Sequence, residues 1–575
     1  MNNFQLLTFF QKLKILSKKN WELIVNIIIF FVLTIPLLVY SYLLNDGHII
    51  YALDDAYIHM AIAKNLTKYG VWGITKKEFS SSSSSLLYSL LLAFLFLFGV
   101  NEYIPLFINI IFSVLFLFLI HYILKIKNNL PSYAVIICSI LMILFLPLPF
   151  LIFTGMEHVI QICIDISFVY IASKILSQEK QINFNLLSFR KEGKLKISKD
   201  QLLLLIAPLV TMVRFEGMFI VIVISALFFL RKKFLYCLLI GIFSFLPIII
   251  FGFISISNGW YFLPNSVVLK GNEPNFSTLE GILDFFNPKL LIKAPHISIL
   301  LLSAFLIIGF NFYRKKGFWN EKSTMSIIFI FVTLMHLLFI GITDENQNLS
   351  RYDSYLVAIG FLLIFIFIKD GIPQELSSFH LRKYILTIKK NYKKFIPQII
   401  PVIFIIFIMF YSLAPRSYNL IRKAPQATNN IYEQPYHVAL FLEKYYKGEC
   451  IAANDIGAMN YYADIECLDL RGLGSKDVAE AQVDGTFGTA FVKKEAEKRD
   501  CKIAIIFEHK DYGYGIPGEW IKAGEWTVRW NVVLGDDEIS FWAVDPKEFN
   551  NLIKNLQDFS KYLPNTLIAS GNYTK

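Results

Sequence analysis

From Trp21 to about Ser412 the chain repeats one pattern: apolar runs of roughly 20 residues, the length a helix needs to cross a bilayer, separated by short polar or basic segments. Past Pro415 the pattern changes. "CIAAND", "IECLDL" and "KIAIIF" read as short buried strands, and "IGAMNYYA" and "GTAFVKKEAEKR" between them read as helices. That alternation implies a small α/β domain with a parallel sheet, to which "EWTVRWNVV" and "ISFWAVD" add an antiparallel pair. The expected fold class is a polytopic α-helical membrane protein of about eleven transmembrane helices, residues 1–414, with a C-terminal soluble α/β domain, residues 415–575.

Composition sharpens this: of 575 residues, 55% are hydrophobic and 17% charged, and the mean hydropathy of +0.53 lies outside the soluble range. The net charge of +11 does not point to nucleic acid, because much of the basic excess sits in short loops between apolar runs. Those loops set the orientation. Lys12, Lys14, Lys18 and Lys19 precede a first run that lacks a small-residue cleavage site, so it reads as a retained anchor with its N-terminus in the cytoplasm. Counting "SSSSSSLLYSLLLAFLFLFGV" as a full span would put every later basic loop on the wrong side, so it reads as a re-entrant or interfacial helix. "RKEGKLKISK", "RKK", "YRKKGF" and "KKNYKK" then face inward, and the tail lies outside.

The same topology gathers ionisable residues on the outer side: Asp54, Asp55 and His59 in "LDDAYIHM", Glu157 and His158 in "TGMEHVIQ", Arg214 and Glu216 in "VRFEGM", Asn265 and Lys270 in "LPNSVVLKG", and Arg351, Tyr352 and Asp353 in "RYD". Charges at the hydrocarbon edge are costly unless paired or solvated, so the cluster points to a site; capping and snorkelling would account for any single member. One of Asp54 and Asp55 caps the following helix and the other is surplus, with His59 four residues past Asp55 on the same face. The serines from Ser80 to Ser85 read as low-complexity drift as readily as a sugar-lining set of hydroxyls.

In this order, the acidic pair with "AYIHMAIAKNL" and "GVWG", the serine segment before "LLYSLLLA", then "TGMEH", "RFEG", "LPNS" with "LKG", and "RYD" resemble the GT-C glycosyltransferases, multispanning enzymes that use polyprenyl-phosphate sugars. The likeness is closest to bacterial members related to arabinofuranosyltransferases and more distant to protein O-mannosyltransferases and the aminoarabinose transferase of lipid A. "AANDIGAMNYYADIECLDLRGLGS" resembles the soluble domain such members append. The resemblance implies a catalytic aspartate at Asp54 with Asp55 beside it, a second acidic position at Glu157, and donor-phosphate ligands at Arg214, Lys270 and Arg351. His59, Glu216, Asn265 and Tyr352 complete the expected substrate site. This chain has Leu86, Leu87 and Tyr88 where relatives commonly carry a proline and an aromatic residue.

These residue types suit glycosyl transfer from a sugar phosphate. One carboxylate takes the acceptor's proton, the phosphate leaves without a general acid, and cations meet the charge it develops. No covalent nucleophile is evident, which implies inversion. No cofactor is demanded by these residues alone, and the requirement for a metal stays open: Asp55, His59, Glu157 and His158 permit a divalent ion, without any zinc-type spacing. The expected partners are a polyprenyl-phosphate-linked sugar, an envelope glycan, lipid or protein acceptor, and the bilayer of a bacterial inner membrane. A transporter or flippase of lipid-linked sugars, and a noncatalytic glycan-binding scaffold, stay open as alternatives. In the tail, Asp455 and Asp469 read as turn carboxylates, and Cys450 and Cys467, near the starts of neighbouring strands, could pair and leave Cys501 over.

Overall fold

A computed structural model describes residues 20–178, 198–269, 294–341, 351–369, 392–509 and 514–574. Lys12, Lys14, Lys18, Lys19 and Lys270 lie outside the described residues, as do most of "RKEGKLKISK" and the first half of "KKNYKK".

Helices dominate up to residue 431. They are α1 (Trp21–Leu44), α2 (Asp55–Tyr69), α3 (Leu86–Phe96), α4 (Ile104–His121, extended by a π turn Tyr122–Lys127), α5 (Ser132–Phe145) and α6 (His158–Leu176). Then follow α7 (Lys199–Val213), α8 (Gly217–Leu230), α9 (Phe234–Ser257), α10 (Pro295–Tyr313), α11 (Glu321–Phe339), α12 (Ser354–Ile368) and α13 (Tyr392–Ile431). Among the described residues six of these, α1, α4 with its π turn, α6, α9, α10 and α11, are long and apolar enough to cross a membrane. The expectation of about eleven is therefore not met at full length: α5, α8 and α12 are apolar but shorter, as is α3, which was expected to be re-entrant or interfacial. Local causes set these ends. Ser85 caps α3, Pro147 follows the end of α5, and Arg214 leaves α7 in an extended conformation, so the polar "RFEG" turn separates α7 from α8.

The bundle is apolar outside and partly polar inside. On α1, Ile28, Val32, Ile35 and Val39 are exposed while Asn26, Thr34 and Ser41 are buried, and Ser41 bonds Thr428 of α13 across the interface. This inverted distribution suits a multi-pass membrane protein, in which lipid solvates the outer face and polar groups must find partners within.

The two ends of the bundle differ. One holds the starts of α2, α6, α8 and α12, with the acidic and arginine residues singled out above. The other holds the basic turns: Lys125 pairs with Glu22, Lys174 with Glu321, and Arg231 and Lys233 donate to the carbonyls that end α6. The 19 residues of α6 separate the ends by about 27 Å at 1.5 Å per residue.

The tail contains α14 (His437–Tyr445), β1 (Cys450–Ala453), α15 (Gly457–Tyr462), β2 (Glu466–Asp469), α16 (Lys476–Val483), α17 (Thr489–Lys498), β3 (Cys501–Ile506), β4 (Ile521–Val528), β5 (Glu538–Ala543), α18 (Phe549–Phe559) and β6 (Leu567–Gly571). Its six strands form one mixed sheet in the order β2-β1-β3-β5-β4-β6. β1 pairs in parallel with both β2 and β3, and the β3, β5, β4 and β6 pairings are antiparallel. Trp526, Phe541 and Phe559 pack together between the sheet and α18.

Because β1 lies between two strands, the cysteine pairing differs from the expectation. Cys450 is bonded to Cys501, and Cys467 is a free buried thiol. Register explains it: Cys450 sits opposite Cys501 on one side and Glu466 on the other, while Cys467 sits opposite Ile451. Successive strand residues point to opposite faces, so Cys467 belongs to the face that Cys450 does not share.

Candidate functional site

The polar end of the bundle is built around Arg214 and Arg351, both buried. Arg214 donates from Nη1 to Glu157 Oε1 at 2.6 Å, from Nη2 to Glu216 Oε1 at 2.7 Å, and from Nε to Glu216 Oε2 at 3.0 Å. Arg351 donates from Nη2 to Asp55 Oδ2 at 2.6 Å. The two guanidinium groups each lie 5.0 Å from the centroid of the Tyr352 ring, within cation–π range, and the edge of His158 meets the same ring. Segments far apart in sequence thus converge: the turn before α2, the turn before α6, the α7–α8 turn and the turn before α12. Nε and Nη1 of Arg351 are buried and make no hydrogen bond among the described residues. A buried guanidinium with unused donors is matched to an anion presenting several oxygens.

His59 closes one wall. Its Nε2 lies 3.6 Å from Glu157 Oε2, and its Nδ1 lies 2.9 Å from Ser89 Oγ and 3.2 Å from Ser83 Oγ. Burial pulls its pKa below the ordinary value, against Glu157 and Asp55, which raise it. The serine run is therefore part of the site's support: Ser80, Ser81, Ser82, Ser83 and Ser85 are buried, and Ser80 bonds Ser82 and the Ile74 amide. Tyr88, three residues after the serine run, donates to Gly155 O at 2.6 Å.

Asp54 and Asp55 diverge. Asp54 does not cap its own helix with its side chain; its Oδ2 accepts from Gly457 N at 2.6 Å and its Oδ1 from Ala458 N at 2.7 Å. It serves the otherwise unpaired amides at the start of α15 in the tail. Burial, then the neighbouring Asp455 carboxylate, pushes Asp54 up to about 8 against the opposing pull of those two amides. Asn265 likewise ties the tail down, donating to Gly472 O at 2.7 Å while its own amide bonds Ser81 O.

Sequence reasoning picked out Asp353 but missed Arg416, His336 and Asp165. Asp353 sits between His296 and Arg416, accepting from Arg416 Nη2 at 2.6 Å, and His336 Nδ1 lies 3.1 Å from the Tyr355 hydroxyl. Asp165 is fully buried on α6, two turns below His158. Each was findable as a polar residue inside an apolar run, in "VTLMHLLF", "LAPRSY" and "QICIDISF".

The expected metal ligands do not form a set. Among the described residues the group with ligand spacing is Glu508, Glu525 and Glu538 of the tail, not Asp55, His59, Glu157 and His158. That tail group already holds a cation, since Lys522 Nζ lies 2.6 Å from Glu508 and Glu525 and 3.5 Å from Glu538. Asp469 is a satisfied turn carboxylate, accepting from the Arg471 and Gly474 amides at 2.8 and 2.7 Å.

No curated protein matches the chain. Residues 429–542 are similar to a family described as a domain of unknown function, DUF8728, a stretch that runs from the end of α13 through β1, β2, β3 and β4 into β5.

Proposed function

We propose that this protein is a membrane glycosyltransferase of the GT-C kind, moving a sugar from a polyprenyl-phosphate donor to an envelope glycan, lipid or protein acceptor. In this reading the polar end of the bundle faces outward from a bacterial inner membrane. The basic turns at the opposite end support that orientation through the positive-inside rule. The shorter apolar helices would complete the set of about eleven crossings by packing within the bundle, and residues 415–575 would lie outside.

One observation carries the reading: buried Arg351, with two donor nitrogens unused among the described residues, is ion-paired to Asp55 and shares Tyr352 with Arg214. The chemistry needs those two kinds of group side by side. An aspartate of the Asp54–Asp55 pair removes the proton from the acceptor hydroxyl, whose oxygen bonds to the anomeric carbon. The bond from that carbon to the phosphate oxygen breaks, and its electron pair leaves with the polyprenyl phosphate. Arg351, Arg214 and Lys270 would stabilise the negative charge that accumulates there. A single displacement inverts the anomeric centre. His59 and Glu157 would orient the arginines and sugar, and a divalent ion could join the phosphate without being required.

Binding of a polyprenyl monophosphate, the product and half of the donor, tests this. Native mass spectrometry of the purified protein in detergent with decaprenyl monophosphate should show binding that Arg351→Ala weakens by about tenfold, the loss of one charge-assisted contact. Equal affinity in the variant, or no binding by the parent protein, would sink the proposal.

A further inference from the structure

Adjacent in sequence, Asp54 and Asp55 face different bodies. Asp55 meets Arg351 in the bundle, whereas both oxygens of Asp54 are engaged by the amides of Gly457 and Ala458 in the tail. A general base must present an oxygen to the acceptor hydroxyl at hydrogen-bonding distance, and each oxygen of Asp54 already accepts from a tail amide. The approach is close enough to forbid a side chain at position 457, where a Cβ would lie 2.0 Å from the Asp54 carbonyl oxygen and 2.6 Å from Oδ2. Neighbouring contacts hold the same piece of tail against the same piece of bundle: Lys64 of α2 donates to the Asn460 and Tyr461 carbonyls, and Asn265 donates to Gly472.

Resting on the sugar-transfer reading, we infer that Asp54 is a positioning residue that clamps the start of α15 over the site, while Asp55 is the carboxylate that takes the acceptor's proton. The clamp fixes the tail where an acceptor must enter and orients the first turn of α2, which carries Asp55. Asp54 thereby acts on the reaction through the tail and through Asp55, without touching the reacting atoms.

The experiment compares Asp54→Asn, Gly457→Ala, their double variant and Asp55→Asn in the full-length protein. Hydrogen exchange of the 457–462 amides is measured in detergent. Radiolabelled sugar transfer is measured in membrane vesicles from a deletion strain while an acceptor extract is titrated. Asn offers one acceptor and one donor to two amides, so Asp54→Asn should raise exchange and increase the apparent KM for acceptor about tenfold with little change in kcat. Gly457→Ala should do the same from the tail side, and the double variant should be no worse than either single one. Asp55→Asn should lose at least about 100-fold in kcat with exchange unchanged. Loss of kcat in Asp54→Asn with the 457–462 amides still protected would make Asp54 the base and overturn the inference. So would unchanged exchange in Gly457→Ala. If exchange rises in Asp54→Asn but no variant, Arg351→Ala included, alters transfer, the sugar-transfer reading and the positioning role fall together and the contact alone survives.

Discussion

Replacing Arg214 by Met separates a buried, paired site from a solvated one. Arg214 bonds Glu157 at 2.6 Å and Glu216 at 2.7, 3.0 and 3.2 Å, and exposure is 4% for the arginine, 0% for Glu157 and 9% for Glu216. Met fills much of the same volume and removes the charge, so two carboxylates are left together without their cation. Breaking a buried pair from one side costs about 3–5 kcal/mol, because the remaining charge is uncompensated. Removing all the charges at once, in Glu157→Gln/Arg214→Met/Glu216→Gln, should return to within about 2 kcal/mol of the parent for the same reason. The measurement is the half-life of the folded protein at a fixed temperature in detergent. If the loss falls on the unfolding barrier, the single variant should be roughly 100-fold or more shorter-lived than the parent. A half-life within about threefold of the parent, or a triple variant as labile as the single one, would refute the burial argument.

Four further outcomes are expected in the tail. Lys522→Ala should convert the Glu508, Glu525 and Glu538 group, whose oxygens lie within 4.8 Å of one another, into a divalent-cation site, seen as a melting temperature that rises with calcium in the variant and not in the parent. The Lys522 hydrogen bond, then that of Ser570, holds Glu525 down to about 2; this carboxylate therefore adds stability above its ordinary value of 4.5 that fades as pH falls from 4.5 toward 2, and in Lys522→Ala most of that pH-dependent contribution should disappear. Cys501→Ser should destabilise the oxidised tail by up to about 4 kcal/mol, the loop-closure entropy of its 51-residue separation, whereas Cys467→Ser should leave the disulfide in place on a non-reducing gel.

What could be read from the sequence follows from what stands out against an apolar background. Charged residues in "TGMEH", "RFEG" and "RYD" are conspicuous because hydrocarbon tolerates them poorly, and the structure does bring Glu157, Arg214, Glu216 and Arg351 to one end of the bundle. The serines were ambiguous because hydroxyls pass equally well in a loose loop, and only the contacts of Ser83 and Ser89 with His59 distinguish the two. Partner choice was the least legible part. Nothing local says that Asp54 bonds residues about 400 positions away, and the pairing of Cys450 depended on β1 having neighbours on both sides. Hydropathy carries the apolar run from Ser132 on to Phe150, whereas the helix stops at Phe145 just before Pro147, since hydropathy reports that a segment is apolar and not where its hydrogen-bond ladder stops.

The bare backbone at Gly457 has a consequence for how such chains diversify. With the Asp54 carbonyl oxygen pressed against that spot, any graft of a foreign tail onto this bundle succeeds only if the incoming segment keeps a glycine there and two amides at the right spacing after it. The tail is thus a fitted half of a single machine, and recombination that shuffles such halves must carry both sides of this contact or lose it.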